Sequence, residues 1–226
     1  MTAVVTLATA KGGVGKTTLS VAIGTTLALD GYRVTVLDCD VNQHASAFAK
    51  KANIAGFAVT SEVGEDTVLK ALRQAVTDRA DLVLLDLPGG TSRVELKAMQ
   101  KSHFVLVPAQ PSFMDIRDAM RTLGQVDDAE ELCDHPIARA VIWTRVMPGF
   151  ESASARSVRT SLEKLEAPVF RTALLNRALY QEMMMTGQAP QQMTSKAARD
   201  AADNLKAIAD ELIERLGQVA LAESAA

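Results

Sequence analysis

The sequence is poor in aromatic residues: Phe, Trp and Tyr make up 4% of its 226 residues, whereas 48% of the residues are hydrophobic. This scarcity argues against an aromatic-rich β-sandwich. The abundant alanine and valine suit helices packed on a parallel sheet. A chain of this length can hold one α/β domain with a substantial core.

Cysteine is equally scarce, with only Cys39 and Cys133 in the chain. Two cysteines make no disulfide framework, which favours a reducing compartment. The N-terminus begins with a strand pattern instead of the basic and apolar regions of a signal peptide. No apolar run approaches the ~20 residues that span a bilayer. We therefore expect a cytoplasmic protein.

Strand patterns alternate with helix patterns along the whole chain. Strands are predicted at 3–9, 33–38, 57–61, 82–87, 103–108, 138–144 and 169–174. Helices are predicted near 16–29, 65–77, 92–101, 115–132, 153–165, 176–186 and 195–217. This alternation, with no linker-like gap, predicts one domain over residues 1–226. Its fold class is α/β, a doubly wound, mostly parallel sheet flanked by helices, with the ligand beyond the carboxyl ends of the strands.

A glycine-rich run, KGGVGKTT from Lys11 to Thr18, follows the first predicted strand. Its three glycines let the backbone turn N–H groups toward phosphate oxygens. Lys16 is placed to reach the β- and γ-phosphates, and the Thr17 hydroxyl to hold Mg²⁺. The helix that begins near Lys16 adds its positive dipole end. Ala10 stands at the first glycine of the usual G-x-x-x-x-G-K-[ST] pattern, so the loop reads K-G-G-x-G-K-T-T.

This variant is the deviant Walker A motif, and the chain resembles the ParA/MinD group of P-loop ATPases, in the SIMIBI class. It is most similar to the short ParF-like partition ATPases, which lack an N-terminal helix-turn-helix extension, as this sequence does. The resemblance implies that two subunits sandwich two nucleotides and that Lys11 crosses to the partner's phosphates. This extra positive charge would make hydrolysis depend on dimerisation, as arginine fingers do elsewhere. The implied phosphate-loop contacts are Lys11, Gly12, Gly13, Val14, Gly15, Lys16, Thr17 and Thr18.

Two aspartate segments extend the resemblance. VTVLDCD resembles switch I, which implies that Asp38 organises Mg²⁺ and that Asp40 positions the attacking water. DLVLLDLPGG resembles Walker B and switch II, which implies that Asp86 anchors Mg²⁺ through a bound water. Any one of these aspartates alone could be a helix cap. The family's Asp-Pro-Gln is Asp40-Val41-Asn42 here, so the conformation of switch I stays open.

The segments ARAVIWTRV and FRTALLNRALYQEMMMTGQ resemble the family's nucleotide-base side. The resemblance implies that Thr144, Arg145 and Asn176 contact the nucleotide. The Asn/Thr-Lys-x-Asp motif of guanine-binding proteins is absent after Walker B, so ATP with Mg²⁺ is expected. The tail is acidic to neutral and alanine-rich, which argues against a membrane partner.

Positive charge is concentrated in residues 135–180, where seven Arg or Lys stand against three Glu in a chain of net charge −3. Such a face can bind the phosphate backbone of DNA without reading its sequence, although a solvated surface with ion pairs is the alternative. The resemblance favours DNA. Arg145 and Arg177 could serve the nucleotide instead. The predicted DNA contacts are Arg156, Arg159, Lys164 and Arg177.

We therefore expect an ATPase whose ATP-bound homodimer binds nonspecific DNA on the nucleoid and positions or segregates a plasmid or chromosome region. A stimulating adaptor, such as a centromere-binding or cargo protein, would trigger hydrolysis and release. Two alternatives use the same mechanism: positioning of a protein assembly such as chemoreceptor clusters, and conjugative DNA transfer. Residues 89–120 also resemble the ParA-like ATPase of T-DNA transfer. A metabolic P-loop ligase or kinase is an alternative of another class, but it leaves Lys11 unexplained.

Overall fold

In the computed structural model, which describes residues 2–90, 93–149 and 152–225, six parallel strands form one sheet. Their order across the sheet is β3-β2-β4-β1-β5-β6. The strands are β1 (Ala3–Leu7), β2 (Val34–Asp38), β3 (Phe57–Thr60), β4 (Leu82–Asp86), β5 (Phe104–Ala109) and β6 (Ala138–Trp143). This arrangement confirms the predicted doubly wound sheet.

Helices cover both faces of the sheet, because successive strand residues point to opposite sides. Val5 and Leu7 belong to a core shared with the helices α1, α2, α7 and α8, whereas Val4 and Ala8 belong to a second core under α3, α4, α5 and α6. The helices are α1 (Lys16–Leu29), α2 (His44–Ala49), α3 (Val68–Thr77), α4 (Arg93–Met99), α5 (Phe113–Glu130), α6 (Ala153–Lys164), α7 (Leu179–Thr186) and α8 (Lys196–Ala225). A short 3₁₀ turn occupies Pro190–Gln192. Within the described ranges, no helix is both long and apolar enough to cross a bilayer.

The strand predicted at 169–174 is wrong. This segment runs beside β6 but makes only isolated bridges, Val141 to Val169 and Val146 to Leu175. The cause lies in α8, whose buried Glu211 accepts hydrogen bonds from the backbone N–H groups of Arg171 and Thr172, at 2.8 and 3.0 Å. Because these two N–H groups donate to a side chain, the hydrogen-bond ladder between this segment and β6 is interrupted at residues 171 and 172.

The helix boundaries differ most from prediction in four places, one of them α7, which begins at Leu179 instead of 176. Helix α2 was not predicted, because its six residues are too short for a periodic pattern. Helix α3 begins at Val68 instead of 65. Helix α8 extends to Ala225, beyond the predicted end at 217. None of these differences changes the sheet edge at which the candidate site lies.

Candidate nucleotide-binding and hydrolysis site

The glycine-rich loop lies between the carboxyl end of β1 and the start of α1, as predicted. Gly13 and Gly15 have positive φ angles of 76° and 97°, a conformation that favours glycine. Gly15 is the N-cap of α1 and supplies no side-chain hydrogen bond to the first turn. The backbone N–H groups of that turn therefore remain available to an anion.

Lys16 lies in this loop with only 7% of its surface exposed. Burial lowers the pKa of its ammonium, and the carboxylates of Asp86, Asp40 and Glu95 act in the opposite direction. Its Nζ donates to the backbone carbonyl of Lys11 at 3.5 Å. The loop thus holds one buried cation among carboxylates, beside the N-terminus of α1.

Two aspartates end neighbouring strands at the same edge of the sheet, since Asp38 of β2 pairs in register with Asp86 of β4. The Asp38 carboxylate is fully buried and accepts hydrogen bonds from Ser46 N–H and Oγ, at 2.9 and 2.7 Å. Both carboxylate oxygens of Asp86 are buried and, among the residues that the structure describes, meet no hydrogen-bond donor in good geometry. Burial raises the pKa of Asp86 to about 7, and the Thr17 hydroxyl and Lys16 offset only part of this effect. An orphaned carboxylate beside a threonine hydroxyl fits a hydrated Mg²⁺, which prefers oxygen ligands.

Switch I begins at Asp40, whose Oδ1 accepts hydrogen bonds from both the backbone N–H and the Nδ2 of Asn42, each at 2.8 Å. Gln43, with a positive φ of 51°, donates from Nε2 to the Asp40 carbonyl at 2.6 Å. The Val41 side chain projects outward with 89% of its surface exposed. Where the family has Asp-Pro-Gln, this chain has Asp40-Val41-Asn42, and Asn42 is a local hydrogen-bond partner of Asp40.

Lys11 lies next to an acidic residue that the sequence reasoning missed. Its Nζ forms an ion pair with Asp115 Oδ2 at 2.8 Å, and the Asp115 side chain is only 3% exposed. Burial acts to raise the pKa of Asp115, but the hydrogen bonds from Lys11 and Ser112 outweigh it and hold the pKa below its usual value. Ser112 caps α5 and accepts from the Asp115 N–H at 3.2 Å. The S-x-x-D capping pattern could have identified Asp115 as a first-turn residue, but not its contact with Lys11.

The residues predicted to contact the nucleoside come together in one pocket of about 450 Å³. Thr144, Arg145 and Asn176 line it with Val14, Gly15 and Thr18 of the phosphate loop. Thr144 is fully buried and donates from Oγ1 to the Val14 carbonyl at 2.8 Å, so it supports the loop backbone. Arg145 has a φ of 54°, an unusual conformation for a non-glycine residue that is frequent at functional sites.

The four residues predicted to bind DNA fall into two groups. Arg156, Arg159 and Lys164 are exposed on α6. Arg177 lines the nucleoside pocket, and its Nε is buried without a hydrogen-bond partner among the described residues. The structure therefore keeps three of these side chains on one helix and places the fourth beside the candidate nucleotide site.

Comparison with known proteins agrees with this geometry. The family model described as "VirC1 protein" matches residues 2–222. The chain is 32% identical to Protein ParA of Rhizobium radiobacter over 216 residues, which cover 94% of this chain and 97% of that protein. It is 28% identical to maintenance of carboxysome distribution protein A of Halothiobacillus neapolitanus, with 92% and 94% covered.

Solved structures share the fold at low sequence identity. The ATP complex of McdA from Cyanothece superposes with a TM-score of 0.77 at 16% identity, covering 93% of this chain and 96% of that one. Cobyrinic acid a,c-diamide synthase of Mycobacterium smegmatis, bound to ADP and magnesium, has a TM-score of 0.67 at 20% identity, covering 94% of each chain. With its phosphate loop, paired strand-end aspartates and full-length family match, this chain belongs to the VirC1 family within the ParA/MinD-type P-loop ATPases.

Proposed function

We propose that this chain is a Mg²⁺-dependent ATPase whose ATP-bound dimer binds DNA and positions or segregates a cargo. The observation that carries the proposal is the buried Lys16 beside the paired strand-end aspartates, at the N-terminus of α1. This arrangement supplies the positive charge, the backbone donors and the metal-anchoring carboxylates that phosphoryl transfer requires. The domain assignment, one ATPase domain over residues 1–226, is part of the same proposal.

In this proposal each residue of the site has a role that its position supports. The backbone of the glycine-rich loop and Lys16 bind the phosphates, and Thr17 binds Mg²⁺ directly. Asp38 and Asp86, which end neighbouring strands beside Thr17, would help to hold Mg²⁺ through bound water. When bound there, Mg²⁺ would supply positive charge next to the transferred phosphoryl group. Asp40 orients the attacking water after its Oδ1 is released from Asn42.

A second copy of the chain completes the site in this proposal. Loops and helix starts around the phosphate loop expose large apolar side chains, including Val41 and Phe113, which is 75% exposed. Met114 and Met147 are also more than half exposed. All four follow the carboxyl ends of strands, so they surround the nucleotide site. Apolar side chains clustered there suit a partner that closes over the nucleotide, and Lys11 then reaches the partner's phosphates.

Nonspecific DNA is the proposed partner of α6. Arg156, Arg159 and Lys164 concentrate positive charge on one exposed helix. Phosphate contacts of this kind are independent of sequence and sensitive to salt. Association with the nucleoid, and release of DNA when an adaptor stimulates hydrolysis, complete the proposed cycle.

Two other roles would use the same cycle of ATP binding and hydrolysis. The match to the VirC1 family favours a role in conjugative DNA transfer. The relative named for carboxysome distribution favours positioning of a protein assembly. A metabolic ligase or kinase would share the fold but would need neither Lys11 nor a dimer.

Hydrolysis of ATP with and without Mg²⁺, together with the mass of the protein in ATP, tests the proposal. We expect Mg²⁺-dependent hydrolysis and a dimer that forms with ATP but not with ADP. Replacing Lys16 by alanine removes the main positive charge on the β- and γ-phosphates and should abolish both. A monomer that hydrolyses ATP at full rate would instead support the metabolic alternative.

A further inference from the structure

The nucleoside pocket is built on an irregular segment, residues 171–177, rather than on a strand. Leu174, Leu175, Asn176 and Arg177 all line the pocket. On one side the segment is tied to β6 and the loop after it: Leu174 N–H donates to Trp143 at 2.8 Å, and Asn176 N–H to Val146 at 2.7 Å. The Ala173 carbonyl and the Leu175 N–H point to the other side, where no strand of the described ranges lies.

A single side chain of α8 binds these two backbone groups. Asn204 donates from Nδ2 to the Ala173 carbonyl at 2.9 Å and accepts at Oδ1 from the Leu175 N–H at 3.1 Å. A side-chain amide carries one acceptor and one donor side by side, so it can replace the peptide group of a missing neighbouring strand. The two partners also fix which end of the amide is oxygen.

Asn204 also contacts a second part of the pocket wall, the side chain of Tyr180 in α7. The Tyr180 hydroxyl donates to Asn204 Oδ1 at 3.4 Å. Burial raises the pKa of Tyr180 to about 12, so its hydroxyl keeps its proton at neutral pH. The neighbouring Leu205 and Ala201 are fully buried in the core, which fixes α8 against the sheet.

We propose that Asn204 is a positioning residue for recognition of the adenine nucleoside. By binding Ala173, Leu175 and Tyr180, it holds the pocket-lining segment and α7 at a fixed distance from the phosphate loop. The phosphate loop is held by a different residue, since Thr144 Oγ1 donates to the Val14 carbonyl at 2.8 Å. This inference rests on the proposed function, because it assumes that the pocket receives the nucleoside of ATP.

The test compares the affinities for ATP and for inorganic tripolyphosphate, which has the same phosphate chain but no nucleoside. In Asn204→Ala, ATP affinity should fall about tenfold, as expected when the hydrogen bonds to Ala173, Leu175 and Tyr180 that order the pocket are lost. Tripolyphosphate affinity should stay within about twofold, since the phosphate loop is untouched. Asp203→Ala, at the exposed neighbouring position on α8, is the matched control and should change neither affinity.

Unchanged ATP affinity in Asn204→Ala would overturn the inference, and so would an equal loss of both affinities, which would show a merely structural role. Asn204→Asp provides a second variant of the same shape. It keeps the acceptor for Leu175 but places an oxygen against the Ala173 carbonyl, and it should show the same selective loss of ATP affinity. If the unaltered protein binds tripolyphosphate and ATP equally, the nucleoside pocket assignment fails with the inference. If it binds neither, the proposed function itself fails.

Discussion

Lys11 forms an ion pair with Asp115 of its own chain, with 2.8 Å between Nζ and Oδ2, although its proposed role is at the partner's nucleotide. Asp115 is almost fully buried, so removing its cation leaves an uncompensated buried charge, which is costly. Lys11 therefore has two competing positions, one in its own chain and one across the proposed dimer.

The first prediction separates these two positions. Lys11→Ala should bind ATP, because Lys16 and the loop backbone remain, but should lose ATP-dependent dimerisation and hydrolysis. Asp115→Asn is the matched variant, since it breaks the same ion pair but keeps the lysine. It should dimerise and hydrolyse ATP at least as well as the unaltered protein. Phosphate release measures hydrolysis. If both variants lose it equally, Lys11 is needed for its ion pair with Asp115 and not for a contact with the partner's nucleotide.

The second prediction concerns Asp40. Asp40→Ala should bind ATP and dimerise but hydrolyse at least about a hundredfold more slowly, because the group that orients the water is gone. Size-exclusion chromatography with ATP should show a long-lived dimer. The companion variant Asn42→Ala removes the hydrogen bond from Asn42 Nδ2 to Asp40 Oδ1 but keeps the one from the backbone N–H of residue 42. It should keep hydrolysis. Parental turnover in Asp40→Ala would show that switch I uses another group.

The third prediction is a pH dependence of stability at Asp86. Burial raises its pKa to about 7, whereas the unfolded residue titrates near 3.8. The folded protein thus binds more protons between these values, and stability falls as pH rises from about 4 to about 7. Nucleotide-free Asp86→Asn, which cannot ionise, should be more stable than the parent at pH 8 by roughly 4 kcal/mol, with the gain shrinking toward pH 4.

Urea unfolding at several pH values measures this difference. Asp81→Asn is the control, and its expected change in stability has the opposite sign. The hydrogen bonds from Arg33 lower the pKa of Asp81 to about 2. That variant should be destabilised at neutral pH, with the effect vanishing as pH falls through about 2. An Asp86→Asn variant that is less stable than the parent at pH 8 would contradict the assignment of an unpaired buried carboxylate.

Local patterns predicted the strands and the phosphate loop because both depend on short stretches of sequence. The apolar runs of β1 and β4 and the glycines before Lys16 carry their own signal. Asp115 could not be predicted, because its contact with Lys11 joins residues 104 positions apart. The segment 169–174 has a strand-like pattern, but Glu211 of α8 competes for its N–H groups. Such long-range polar contacts leave no periodic trace in the sequence.

The fourth prediction tests the DNA partner. Arg156→Glu with Arg159→Glu should abolish ATP-dependent binding to nonspecific duplex and leave basal ATP hydrolysis unchanged, because neither residue belongs to the nucleotide motifs. Binding by the unaltered protein should weaken steeply with salt. Lys70→Glu with Arg73→Glu makes the same charge change, three residues apart on the exposed side of α3, and should retain binding. Equal loss in both double variants would reflect net charge instead of a DNA site on α6.

The most direct test of the central claim, that Lys11 acts across a dimer, mixes two inactive variants. Lys11→Ala retains Asp40, and Asp40→Ala retains Lys11, so a mixed dimer has one complete site only if Lys11 reaches the partner's nucleotide. Because a mixed dimer keeps one crossing Lys11, it should form even though Lys11→Ala does not dimerise with itself. Hydrolysis in an equal mixture should then rise above that of either variant alone, toward about a quarter of the unaltered rate if half of the dimers are mixed and each has one complete site. A rate no higher than the average of the two variants measured alone would contradict the account.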